Sequence, residues 1–338
     1  MVSTITLQQL EEAVHTLSHK AKVEGRAFDE IFQIEGIPLW WFYNRFITRS
    51  ILPGMPKFNI ILERYPSKNK YSSIEKMNLY LVSSFMRKLL LVSDWFRFAL
   101  TPKSMDVSKY KRAVLFLTYT THHTSNQIYR LSPILEEATK AGIMSLPLTV
   151  APFFDLHFLK IRKISPILYT FITKDIIKSS RESAAKVSQL WIKQGKSALR
   201  KSCQDDPLWN LIEPHCSFLF SREFLSVLFL YYLTMKRVIH LVNPALFCIT
   251  SGIGLLDKCV IAAAHNTKTP TLLIQHGVGA DFRRTDLRAF NTLFFSVFGE
   301  NDKSLLEKTG IPSTRIFVTG NPLLDEVGGK NFSKKIFI

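Results

Sequence analysis

Between Thr271 and Asp286 the sequence TLLIQHGVGADFRRTD carries an apolar run into Gln275, His276 and Gly277, then sets Arg283 and Arg284 side by side. An imidazole with an ordinary pKa of about 6.5 exchanges protons readily at neutral pH. Paired guanidiniums can hold a phosphate through charge-assisted hydrogen bonds. Gly277 and Gly279 allow a sharp turn and the close approach of a ligand to the backbone. The plainer alternatives are that His276 caps a strand by bonding to a neighbouring loop, and that the two arginines form a solvated face. A second imidazole pair, His122 and His123, follows the apolar run AVLFLTYT. Neighbours in an extended chain point to opposite sides, so at most one of these two serves a shared site.

Such residues act together only if the fold brings them to one place. Six short runs rich in β-branched and aromatic residues span Ala113–Thr120, Ile143–Val150, Ala245–Thr250, Thr271–Gln275, Leu293–Gly299 and Arg315–Gly320, with helical stretches between them. Continuous apolar runs of this length predict a mainly parallel sheet covered by helices on both faces, an α/β Rossmann-like fold. The helices are punctuated: one restarts at Ser132-Pro133 and stops at Gly142, and another runs from an Asn301 cap through Leu305 and Leu306 to Gly310. Residues 1–112 read as a helical, basic region without strand–helix alternation. No internal repeat is expected.

Ligands in doubly wound sheets bind beyond the carboxyl ends of the strands. The residues there are His122 and His123; Ser251 and Gly252; Gln275, His276 and Gly277; Glu300; and Gly320 and Asn321. Ser251 and Asn321 also have an ordinary turn reading. Glu300 either contacts ligand or favours the amino end of the helix that follows it.

Composition bounds the partners. The 338 residues are 46% hydrophobic and carry a formal charge of +17, which favours an anionic partner: nucleic acid, a membrane surface or a phosphorylated substrate. Specific nucleic-acid binding lacks any zinc-finger spacing, RNP-like aromatic motif or Gly-Lys-Ser/Thr phosphate loop, and rests on charge and on basic runs such as Lys196–Ser202 alone. Cys203, Cys216, Cys248 and Cys259 have no zinc-ligand spacing and read as packing residues of a reducing, cytoplasmic setting, with no metal or resident cofactor expected. Thr6 and Gln9 form a capping box and Glu11 and Glu12 follow, which excludes the apolar core of a signal peptide. The uncharged run Val238–Leu256 is broken by His240, Asn243, Pro244 and glycines, so it reads as helix end, turn and strand.

TPTLLIQHGV together with FFSVFGENDKSLLEKTGIPSTRIFVTGNPLLDEV resembles the middle of a GT-B glycosyltransferase, close to surface-carbohydrate and capsule-type transferases and to the CDP-glycerol glycerophosphotransferase group. The shared order is a strand ending in a His-Gly turn, a strand running into Gly-Glu and a helix, and a strand ending in Gly-Asn-Pro with an Asp beyond. The resemblance covers about the last seventy residues well and is looser upstream. It implies that residues 113–330 form the acceptor-binding Rossmann-like domain. Residues 331–338 then open a second, donor-binding domain that is otherwise missing. It also implies transfer of a sugar or polyol phosphate from a nucleotide-activated donor to a glycan or lipid-linked acceptor. His276 would be the base that takes the proton of the attacking hydroxyl, and Gly320 and Asn321 would shape the interdomain hinge. A sugar epimerase shares this architecture, and a noncatalytic remnant that binds only acceptor or partner is a further alternative.

Val82, Phe85, Leu89, Val92, Phe96 and Ala99 recur at helical spacing, with Arg87, Lys88, Asp94 and Arg97 elsewhere on the helix. Together with Trp40, Trp41 and Tyr43, side chains suited to the lipid headgroup level, this helix could rest on an anionic membrane surface and hold the protein peripherally on its inner face. The alternative is a helix packed in the core of an N-terminal subdomain.

Overall fold

The computed structural model of the protein describes residues 7–51, 107–119, 131–150, 168–203, 206–252, 254–275 and 287–321. In chain order the first elements are α1 (Leu7–Lys20), β1 (Lys22–Val23), β2 (Arg26–Ala27), α2 (Phe28–Ile31), β3 (Gln33–Ile34), β4 (Ile37–Pro38) and α3 (Leu39–Ile51). There follow β5 (Val114–Tyr119), α4 (Ser132–Lys140), β6 (Ser145–Val150), α5 (Lys174–Leu190), α6 (Lys196–Ser202), α7 (Asp206–Leu219) and α8 (Arg222–Val242). The last are β7 (Leu246–Ile249), α9 (Leu255–Asn266), β8 (Thr271–Ile274), β9 (Leu293–Val297), α10 (Glu300–Lys308) and β10 (Ile316–Val318). The chain divides into two compact units, Met1–Phe96 with Thr173–Tyr231, and Arg97–Ile172 with Tyr232–Ile338.

The first unit is helical, with two small antiparallel hairpins that the sequence does not predict, β1–β2 and β3–β4. Each turns through Glu-Gly with both residues at positive φ, 51° and 81° at Glu24-Gly25 and 46° and 87° at Glu35-Gly36. That geometry matches the right-handed twist of a tight hairpin, and glycine at the second position relieves the steric cost. A hairpin followed by a helix therefore occurs twice in succession, a local repeat whose two-residue strands are too short to register as periodicity.

The core of this unit is built from aromatic rings. Trp191 stacks on Phe220 with ring centroids 4.4 Å apart, and Phe28 stacks on Phe32 at 4.3 Å. Phe220 also meets Phe28, Phe32 and Tyr43 edge-on. Between α5 and α6 the helix widens into a π turn, Trp191–Gly195. Gly195 is packed so tightly there that a Cβ would lie 2.5 Å from the Phe32 ring. Trp40, Trp41 and Tyr43 belong to this core, at 2%, 8% and 0% exposure, and the Trp40 indole N–H donates to the Val14 carbonyl at 2.7 Å. Their expected place at the lipid headgroup level is therefore corrected: they hold α3 inside the protein. The helix expected over residues 82–99 lies outside the described residues.

The second unit holds a six-stranded sheet in the order β10-β9-β8-β7-β5-β6. Every pairing is parallel, and helices surround the sheet, an α/β Rossmann-like arrangement. The strands are apolar because parallel strands covered by helices must be. Phe116, Cys248 and Ile274 pack with Leu131, and against them lie Ile134 and Leu135 of α4. Thr118 and Thr149, buried opposite each other on β5 and β6, approach to 3.1 Å between hydroxyls. α4 ends as expected: Gly142 takes φ +68°, and the Ile143 amide bonds back to Ala138 at 2.8 Å. α10 begins earlier than expected. Its cap is Gly299 and not Asn301, because the extended Gly299 carbonyl accepts the first intrahelical bond, from the Lys303 amide at 3.1 Å.

α8 has the length and apolarity to cross a membrane, but 61% of its apolar window is buried within the protein, as in a core helix. It ends at Val242, and Asn243, at φ 44°, turns the chain into β7. All four cysteines are buried. Burial pushes the Cys248 thiol up to about 12 and the Cys216 thiol well above its ordinary value.

Candidate functional site

Because all six strands run the same way, their carboxyl ends share one edge. Ser251 and Gly252 follow β7, Gln275 follows β8, Glu300 follows β9, and Gly320 and Asn321 follow β10. The neighbouring ends are only about 4.8 Å apart, so the edge from β7 to β10 extends over about 14 Å. His276, Gly277, Arg283, Arg284, His122 and His123 lie outside the described residues.

Gln275 is buried, at 5% exposure. Its amide N–H extends the ladder by donating to the Ser296 carbonyl at 2.9 Å. Its side-chain Oε1 accepts from the Phe298 amide at 2.8 Å, and Nε2 donates to Asp302 Oδ2 at 3.1 Å. Both ends of this side chain are thus engaged within the protein, tying the end of β8 to the β9–α10 turn. The geometry makes Gln275 a positioning residue, fixing the turn from which Glu300 projects. Glu300 itself is exposed in the first turn of α10, where its charge also suits the helix amino end. Asp302, absent from the sequence reading, is the other half of this clamp.

A second brace sits one strand further out. Ser296 and Thr319 hydroxyls lie 2.7 Å apart, and the Thr319 amide donates to Val297 at 3.0 Å, extending the β9–β10 pairing by one residue. The chain then breaks away at Gly320, whose φ of +75° strains any other residue. Asn321 follows, half-buried.

Strand order singles out one crevice on this edge. From β5 the chain moves outward to β6 and then returns to the other side of β5 at β7, so the order reverses between β5 and β7. At such a reversal the connections leave on opposite faces and open a gap for a ligand. Ser251 and Gly252 flank this gap on the β7 side, and His122 and His123 follow the β5 side in sequence. Beyond Ser251-Gly252 the chain enters α9 through Gly254, which supplies no side-chain cap, and the first turn of the helix carries Asp257. Gln275, Glu300, Gly320 and Asn321 belong to the outer wing, not to the reversal.

α9 carries two groups that sequence reasoning missed. Leu256 through Ala264 are all buried, including Asp257 at 2% and Lys258 at 1% exposure. Adjacent helix positions face different ways, so α9 is enclosed over most of its circumference. Charges persist in such surroundings only when compensated. Burial, and then the Asp257 charge, raises the Cys259 thiol well above its ordinary range. The available signal was the Asp-Lys pair inside the apolar string LLDKCVIAAA.

Neither the protein-family models nor the curated proteins compared with this chain match it.

Proposed function

We propose that this chain forms the acceptor half of a GT-B-type transferase, moving a sugar or polyol phosphate from a nucleotide-activated donor to an acceptor hydroxyl in surface-glycan synthesis. The observation that carries the reading is the all-parallel sheet whose carboxyl edge is braced by polar side chains and contains a strand-order reversal. β8 runs straight into Gln275, buried and clamped on that edge, and His276 is the next residue in the sequence. A net charge of +17 supports a cytoplasmic, peripheral setting against anionic membrane carrying a lipid-linked acceptor.

In this reading His276 accepts the proton of the attacking hydroxyl as the new bond to the donor carbon or phosphorus forms and the nucleotide leaves with the bonding pair. Gln275 and the Phe298–Asp302 turn hold the edge in register. The test is turnover measured with nucleotide-activated donors in the protein joined with its donor-binding domain. His276→Gln keeps a hydrogen bond but cannot accept the proton, and is expected to lower turnover by about a hundredfold while acceptor binding stays nearly intact. Near-normal turnover of the Gln variant would return His276 to a strand cap and remove the base from this mechanism.

A further inference from the structure

The helical unit carries a groove bordered by cationic side chains that the transferase reading does not use. Lys174, Lys178 and Arg181 recur along one side of α5 at intervals of four and three, which places them on one helix face. With Arg222, the first residue of α8, they line a groove of about 340 Å³. Its wall is mostly apolar, formed by Ile177, Ala185 and the hydrocarbon stems of the cations, whose charged ends stand at the rim, and Glu182 is the one acid among the lining residues. All four cations are exposed, and among the described residues none of them is ion-paired.

Four like charges around one acid raise the local positive potential, and their mutual repulsion opposes the compact state. A bound anion offsets that repulsion, and a guanidinium beside ammonium groups is a donor set suited to phosphoryl oxygens. The groove is near the lower end of the range of about 300–1,000 Å³ over which small ligands are held, and it is concave, whereas a bilayer presents a broad surface. We propose that this groove binds a compact phosphorylated solute of the pyrophosphate or phosphate-ester class. Lys174, Lys178, Arg181 and Arg222 are the donors, and Ile177 and Ala185 lie against the ligand's carbon skeleton.

The test is calorimetric titration of the full chain with inorganic pyrophosphate at low salt. Saturable binding is expected, weakened at least about tenfold in the Lys178→Ala/Arg181→Ala double variant. A double variant of Lys186→Ala and Lys193→Ala, exposed lysines outside the groove, should bind like the parent. Glu182→Gln removes the opposing carboxylate and is expected to tighten binding; it carries the test by itself should circular dichroism show the groove double variant misfolded. Absence of binding to the parent, equal losses in both double variants, or no tightening in Glu182→Gln would overturn the proposal. Binding to phosphatidylglycerol vesicles without binding to free pyrophosphate would overturn it as well, assigning the charge to a membrane.

Discussion

The helical unit and the sheet unit are held together by different kinds of contact. In the helical unit, stability is concentrated in a few large rings, with Phe220 meeting Phe28, Phe32, Tyr43 and Trp191. In the sheet unit, buried apolar side chains are spread along short strands, and side-chain hydrogen bonds join their carboxyl ends. A ring cluster tolerates almost no change of shape, which Gly195 illustrates, whereas a parallel sheet leaves its strand ends free to vary while the ladder persists. Chemistry therefore has room at the sheet edge that the ring core does not offer.

The strongest way to break this comparison is Phe220→Ala. Losing a fully buried ring with four aromatic neighbours is expected to destabilise the helical unit by about 3–5 kcal/mol. The described tryptophans, Trp40, Trp41, Trp191 and Trp209, all lie in that unit, so their fluorescence during urea unfolding reports it selectively. A loss below about 1 kcal/mol would mean that stability there is as dispersed as in the sheet. Next in size is Gln275→Met, which keeps the volume but leaves the Phe298 N–H and Asp302 without this partner. It should cost about 2 kcal/mol and speed hydrogen exchange at the Phe298 amide. Unchanged exchange would show that the clamp is dispensable and that Gln275 is available to a ligand.

The smallest effect concerns His215, buried in the helical unit. Burial lowers its pKa from 6.5 to about 4, so between these values the unfolded chain binds a proton that the folded chain does not. The stability associated with the neutral ring is complete above about pH 6.5 and falls as pH drops toward 4, by about 1 kcal/mol at pH 5.5. His215→Asn should flatten that part of the stability profile. A parent whose fluorescence midpoint is constant from pH 7 to pH 5 would contradict a buried neutral histidine.

Sequence and structure agree where burial alone dictates residue type. All six sheet strands were legible because a parallel strand enclosed by helices must be apolar on both sides, as VLFLTY and LFFSV are. Their ends were overrun by one or two residues, since the apolar pattern runs on past the regular pairing: Gln275 adds one last ladder bond to Ser296, and Phe298 bonds to the Gln275 side chain. The start of α10 was misplaced because Gly299 caps through its carbonyl and leaves no polar side chain to read. The Glu-Gly hairpins, the headgroup-like aromatics that prove to be core, and the division of residues between the two units depend on contacts between distant segments. At the candidate site, the edge positions of Ser251, Gly252, Gln275, Glu300, Gly320 and Asn321 followed from strand ends. The Asp302 clamp, the Ser296–Thr319 brace and the buried Asp257 and Lys258 needed coordinates, because residue type does not reveal a partner.

The placement of the cysteines has a use as a kinetic gauge. Cys203 and Cys216 fall in the helical unit and Cys248 and Cys259 in the sheet unit, every one of them buried. The reacting species in alkylation is the thiolate, which burial both hides and disfavours. Modification must therefore wait for the surrounding structure to open, and its rate at each position counts those openings. Mass spectrometry of peptides bearing each sulfur then clocks the two halves of one molecule in the same tube, without an introduced label.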